Sequence, residues 1–413
     1  MDFFLKYKKI ILLIIFLIVI VVLGYLLYAL FFKTKESNVV VTKPPIATST
    51  KGLPVAQTGA GQIITPTETV GLPGKTGETE TTKISSLAQG GLTQTVELNN
   101  SPSLGATLAG NGSDLQYYNQ ADGKFYRLTK DGKASPLTDK IFYQVDKIYW
   151  SPDKNKAILK YPDGANIVYD FTTNQQITLP SHWKNFDFSP DGNKIVMKSI
   201  GLDPNNRWLA ISNLDGSNAQ RIEALGDKDE TVYPAWSPNN QIIAMYTEGL
   251  DFDRQEVYFV GLHNENFKST IIEGRGFEPK WAPDGNKLLY SVYSSNTNLK
   301  PMLWLVNASG DNIGSNRISL GIETWADKCT FADATDLYCA VPQSLEEGAG
   351  LFPEMADNTK DNLYQIDLQT GLKKLIAIPS GDYSISDINI SDNGYYLYFT
   401  DQTTKTLHQI KLK

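Results

Sequence analysis

Residues 92–413 of this 413-residue chain are predicted to be all-β: a seven-bladed β-propeller of four-stranded antiparallel blades. Three observations predict it. First, one phrase recurs: an apolar residue, then Ser or Ala, then a turn rich in Pro, Asp, Asn and Gly, then a new apolar run. Its Ser/Ala positions are 109, 151, 189, 237, 282, 332 and 391, at intervals of 42, 38, 48, 45, 50 and 59. A period of roughly 40–50 residues, each unit holding several short strands, is the signature of propeller blades. Second, each unit divides into four alternating segments separated by turn residues. Third, the last unit lacks its outer strand, while Leu92–Leu98 (LTQTVEL) alternates like a strand just ahead of the first unit.

The elements follow in order. Residues 1–9 read as a short cytoplasmic head, and Ile10–Phe32 as a transmembrane signal anchor: 23 residues without a charge, close to the ~20 needed to cross the hydrocarbon core. The stretch exceeds a cleavable signal's apolar region of about 7–15 residues. No A-x-A site follows it, and no nearby Cys that lipoprotein processing would need. Lys6, Lys8 and Lys9 favour an N-terminus inside and a propeller outside a cytoplasmic (inner) membrane. Lys33, Lys35, Lys43 and Lys51 on the far side oppose that bias.

Residues 33–91 read as a disordered linker. Thr, Gly, Pro and Ser fill 29 of its 59 positions and no aromatic occurs, so too little apolar surface exists to offset the ordering entropy. As a random coil it would span roughly 40–45 Å. Charge divides with the domains. Residues 1–91 carry +4 and residues 92–413 carry −11 of the total −7. An acidic globular part argues against nucleic acid as a partner.

Within the repeats, Lys184–Phe188, Lys194–Lys198, Arg207–Leu214 and Ala219–Leu225 exemplify one blade, with turns at Ser189-Pro190-Asp191-Gly192 and Asp215-Gly216. Pro presets φ, Asp accepts local backbone hydrogen bonds and Gly supplies positive φ. The bulky residues before the turns, Trp150, Trp236 and Trp281, are expected to wedge between blades. Six fourth strands follow seven third strands, so Leu92–Leu98 is the expected donor that closes the ring beside Thr406–Leu412.

The turns Trp150-Ser151-Pro152-Asp153, Phe188-Ser189-Pro190-Asp191-Gly192, Trp236-Ser237-Pro238-Asn239 and Trp281-Ala282-Pro283-Asp284-Gly285 resemble the TolB-like repeat, a bacterial relative of WD-type (WD40-like) propellers. The resemblance covers about residues 92–413 and implies a propeller that acts by binding proteins in the cell envelope. The chain departs from TolB in having an anchor and no room for an extra N-terminal α/β domain, so TolB's own partners are not carried over. The layout is similar to uncharacterised membrane-anchored bacterial TolB-like proteins.

No catalytic, metal or cofactor motif is recognised. A hydrolase of the prolyl-oligopeptidase type would need a G-x-S-x-G elbow on a separate α/β domain. His182, His263 and His408 fall in different repeats without zinc spacing. Asp251-Phe252-Asp253 and Asp203-Pro204-Asn205-Asn206 lack a full calcium-loop pattern. The chain is therefore expected not to be an enzyme. Cys329 and Cys339 flank the sixth turn and are expected to face each other across a hairpin, either as a disulfide or as two buried thiols.

The links between second and third strands vary most: Gly201–Asn206, Glu248–Gln255, Ser294–Lys300 and Gln343–Asp361. With the blade-to-blade links they share one face. There His182, Trp183, Arg254, Arg275, Phe277, Trp325, Phe352 and Tyr383 form the candidate binding face. Leu345, Leu351, Phe352 and Met355 either contact a partner or fold back to plug the channel mouth. The functional expectation is an extracytoplasmic scaffold that binds envelope or surface proteins. The alternatives are a glycan- or peptidoglycan-binding propeller, or a propeller enzyme.

Overall fold

The computed structural model describes residues 16–17, 19, 21–23, 25, 84–263 and 265–413. The chain divides into two units, Met1–Thr76 and Gly77–Lys413. Of the expected anchor, Phe16, Leu17, Val19, Val21, Val22, Leu23 and Tyr25 are described as helical and exposed. The rest of it, the head and the linker to residue 83 lie outside the described residues. Among the described residues no helix is long and apolar enough to cross a membrane.

The second unit contains seven sheets whose principal strands run antiparallel, in chain order in blades 1 to 6. Blade 1 comprises Ser103–Leu108, Leu115–Asn119, Lys124–Leu128 and Ala134–Pro136. Blade 2 comprises Lys147–Trp150, Lys156–Lys160, Asn166–Asp170 and Gln175–Leu179. Blade 3 comprises Trp183–Phe188, Lys194–Ile200, Arg207–Asn213 and Gln220–Ala224. Blade 4 comprises Val232–Pro234, Ile242–Gly249, Arg254–Gly261 and Thr270–Glu273. Blade 5 comprises Arg275–Trp281, Lys287–Tyr293, Met302–Asn307 and Ile318–Ser319. Blade 6 comprises Cys329–Phe331, Asp336–Pro342, Asp361–Asp367 and Lys373–Pro379. Blade 7 has three strands of its own: Ile385–Ile390, Tyr396–Asp401 and Leu407–Lys411.

The repeated turn works as a side-chain clamp. Ser151 Oγ donates to Asp153 at 2.6 Å and accepts the Lys156 N–H at 3.0 Å. Ser189 and Asp191 repeat the arrangement, as do Ser391 and Asn393. In each case the short side chain replaces water on groups that the hairpin would otherwise leave unpaired. Ala282 keeps the backbone bonds without the hydroxyl.

Seven apolar clusters each span one blade interface, including that between blades 7 and 1. The core is therefore a ring of interfaces, in which a blade is stabilised mainly by its neighbours. The turn tryptophans serve these contacts. Trp150 Nε1 donates to the Gly105 carbonyl of the preceding blade at 2.8 Å, and Trp281 Nε1 to that of Ala235 at 3.1 Å.

Ring closure differs in detail from the expected single strand. Thr95–Glu97 pairs antiparallel with Leu407–Lys411, Val96 lying opposite Gln409. Leu92–Thr93 instead runs parallel to Lys373–Pro379 as a fifth strand of blade 6. The segment thus leaves one outer edge for the next at Gln94. Alternation specifies an extended segment, whereas the partner depends on which edges lie open. Backbone bonds also begin before residue 92: Ala88 N donates to Lys411 O at 3.0 Å and Gly90 N to Ile376 O at 2.8 Å.

Candidate functional site

Second-to-third strand loops and blade-to-blade links share one face, and hydrogen bonds lace neighbouring loops together. The blade 4 loop accepts Ser295 N at Asp253 Oδ1, 2.7 Å away. Arg275 Nη1 donates to Asp251 O at 2.9 Å. The long Gln343–Asp361 loop docks on its blade 5 neighbour through Gly348 N to Asn298 O, 3.0 Å, and Gly350 N to Leu299 O, 2.7 Å. It reaches blade 7 through Gln402 Nε2 to Asp357 Oδ1, 2.9 Å. Short 3-10 turns at Pro204–Asn206, Ser295–Thr297 and Pro353–Ala356 stiffen three of these loops.

The long loop is partly folded back and partly exposed. Ala349 and Ala356 are buried with Trp325, and Leu345 packs against them. Leu351, Phe352 and Met355 remain 43, 51 and 42% exposed. Leu202, Leu250 and Phe252 on the blade 3 and blade 4 loops are also exposed. The face is therefore an ordered platform with separate apolar tips.

Beneath it lies the central channel. A cavity of about 550 Å³ is lined by Ala106, Glu278, Pro279, Lys280, Ala326, Asp327, Asp387, Ile388 and Asn389. Bulges position these groups. The register shifts between Arg275 and Glu278 and between Ser386 and Asn389, and Asp387 takes φ 44°. Positive φ at a non-glycine residue is strained, and a bulge re-aims side chains out of the pleat.

Burial, with repulsion from Asp327, pushes the Glu278 carboxyl up to about 7. Burial and the same neighbour raise Asp387, although the residue opens to channel water. Burial also lowers Lys280, which donates to the Cys329 carbonyl. A carboxyl held near neutrality can take up or release a proton close to pH 7.

Two further carboxylates, half-buried Asp187 and buried Asp361, tie blades together. Asp187 accepts Trp236 N at 2.6 Å, and burial raises it to about 6. Asp361 pairs with Lys328 at 2.7 Å and accepts Ile385 N at 2.6 Å. Burial still outweighs Lys328 and holds Asp361 above the usual carboxylate range.

Sequence reasoning placed eight residues on the loop face, and the structure sorts them. His182, Arg254 and Phe352 are exposed, and Arg275 and Tyr383 are half-buried. Trp183, Phe277 and Trp325 are buried. These three are corrected from contact residues to core: the apolar seams between blades take up Trp183 and Phe277, and the long loop covers Trp325. Arg254 is bound to Asp251 at 2.7 Å. Cys329 and Cys339 lie directly opposite in register and form a disulfide with both residues fully buried.

The channel groups Glu278, Lys280, Asp327 and Asp387 were missed. A signal existed for part of the set. Glu278 and Lys280 alternate with Phe277 and Trp281, and Asp387 and Asn389 with Ile388 and Ile390, which is the period of a strand with one wet face.

No protein-family model matches the sequence, and no curated protein matches it significantly. Solved structures do resemble it. An oligogalacturonate lyase in complex with manganese superposes with a TM-score of 0.50 at 14% identity, over 77% of this chain and 93% of that one. An oligogalacturonate lyase from Vibrio parahaemolyticus gives 0.50 at 12% identity, over 77% and 93%. The β-propeller domain of Myceliophteria thermophila Cps50 (Swd1) gives 0.49 at 9% identity, over 77% and 100%.

At such identity the lyase likenesses show the fold alone, a seven-bladed propeller. They also correct one expectation. The chain was expected not to be an enzyme because a hydrolase elbow and its domain are missing, yet solved propellers of this architecture include lyases. Lack of that one motif does not exclude catalysis from a propeller.

Proposed function

We propose that this chain is a membrane-tethered TolB-like propeller that works outside the cytoplasm as a protein-interaction scaffold in the cell envelope. The observation that carries the reading is the laced loop platform. Its backbone is tied from blade 4 to blade 7, yet Phe252, Leu351, Phe352 and Met355 face solvent. Ordered apolar tips lower the entropy cost of docking, and exposed apolar groups on a soluble domain tend to mark contact sites. The occupant is a protein surface with apolar anchors and a basic rim, complementary to the −11 charge of residues 92–413. The tether is Ile10–Phe32, supported by its uncharged length and the Lys6, Lys8 and Lys9 cluster. The Cys329–Cys339 disulfide supports an oxidising compartment.

The test is site-directed photocrosslinking of the full chain in native membranes, with the probe at Phe352 or at Leu372. Leu372 is 68% exposed on the hairpin between third and fourth strands, on the opposite face. The proposal expects one discrete adduct from position 352 and none from 372. The adduct should disappear when Leu351 and Met355 become Ser, and weaken with salt as rim charges are screened. Equal adducts from both positions, or an adduct indifferent to the two substitutions, would reject it.

A further inference from the structure

We propose that a groove on the face opposite the loops, at the seam between blades 7 and 1, binds a short saccharide bearing an acidic group. The groove encloses about 680 Å³, within the roughly 300–1,000 Å³ of small-ligand sites. It is built from the first hairpin turns of blades 1 and 7, the turn between blade 1's third and fourth strands, and the end of blade 7's third strand.

These walls are locked. Asp392 N donates to Gly112 O at 2.8 Å. Gly112 has φ +66°, a backbone conformation that favours glycine, and a Cβ there would fall 1.7 Å from the Asp392 carboxylate and displace that side chain. Tyr398 Oη donates to Ser113 O at 2.9 Å, Gln409 Nε2 to Lys130 O at 3.1 Å, and Leu412 N to Tyr395 O at 2.7 Å. A groove held at this many points is preformed, so a ligand need not order it.

Its chemistry selects the ligand class. Tyr396 and Tyr398 stack with centroids 6.2 Å apart at 24°, and Tyr395 beside them is 48% exposed. Tyrosine offers an apolar ring face and a polar tip, which suits the C–H face and hydroxyl rim of a sugar. Asp114 and Asp131 supply acceptors, and Lys130, Lys411 and Lys413 supply donors. None of these five charged groups has an ion-pair partner among the described residues. A purely apolar ligand would leave them unsatisfied. A polyphosphate would set its charge against two carboxylates. A sugar presents donors and acceptors together, and the excess of one ammonium matches one acidic group.

The site lies away from the loop platform and does not depend on it. The test exposes the full chain to immobilised, defined uronate-containing and neutral oligosaccharides, followed by calorimetric titration. Uronate-containing members are expected to bind, and neutral ones at least tenfold more weakly. Tyr395→Ala should weaken binding about tenfold, as expected for loss of one aromatic contact. Lys411→Ser should narrow the difference between acidic and neutral members. Melting should stay unchanged in both variants, and Phe352→Ser on the other face should bind as wild type. Absence of binding by any member, equal binding of neutral members, or binding indifferent to both Tyr395→Ala and Lys411→Ser overturns the assignment.

Discussion

Replacing Lys328 by Met should destabilise the propeller far more than an ordinary lysine substitution. Lys328 and Asp361 have side chains only 9% and 0% exposed, 2.7 Å apart. Asp361 also accepts the Ile385 N–H at 2.6 Å, so the pair holds the foot of the long loop against blade 7. Met keeps the volume but leaves a buried carboxylate without its cation, which costs about 3–5 kcal/mol. An unfolding entropy near 0.7 kcal/mol/K is expected for about 330 ordered residues, so the melting temperature should fall by about 4–7 °C.

The pH dependence has a defined sign. Burial already raises Asp361 above its unfolded value, and loss of the cation raises it further. The folded variant therefore binds a proton that the unfolded chain has released. Its deficit should grow as pH rises from about 4 towards 7, and shrink on acidification. Lys328→Met/Asp361→Asn removes the charge while an amide oxygen remains for the Ile385 N–H, so most of the loss should return. Thermal unfolding followed by circular dichroism at several pH values measures all three variants. A single variant within 1 kcal/mol of wild type, or a double variant no better than the single, would refute the reasoning.

Three further outcomes are expected. Cys329→Ala/Cys339→Ala opens a cross-link with a sequence separation of 10; the loop-entropy relation gives about 2.7 kcal/mol, read as a fall of about 4 °C, and in wild type thiol labelling should require both reductant and unfolding. Val96→Pro removes an N–H from the pairing with Gln409; hydrogen exchange at Leu407–Lys411 should quicken, while blades 3 and 4 stay protected. Glu278 sits near 7 when folded against an ordinary carboxylate value of 4.5 when unfolded, so it favours the folded state at acid pH and its contribution is lost as pH rises through that window; Glu278→Gln should flatten the stability profile between about pH 4.5 and 7, and an unchanged slope would remove Glu278 as its cause.

Blade number, strand order and most strand limits were legible in the sequence because they depend on local chemistry. Ser151, Ser189 and Ser391 clamp their own hairpins within five residues, and alternation marks which residues face a blade interface. The facing of Cys329 and Cys339 was legible for the same reason: the turn between them sets the register. Their oxidation remained open until the two sulfurs were placed. Contacts between distant segments were not legible. Nothing in LTQTVEL distinguishes the edge of blade 6 from that of blade 7, and the chain uses both. Trp183, Phe277 and Trp325 were expected on a binding face from loop position alone. Whether a large aromatic beside a loop stays outward or is covered depends on the neighbouring blade (Trp183, Phe277) or on the long loop (Trp325), which residue type does not encode. The channel carboxyls and the Tyr395 groove have the same origin. Glu278, Asp327 and Asp387 come from three blades, and the groove from the first and last, so only closure of the ring brings either set together.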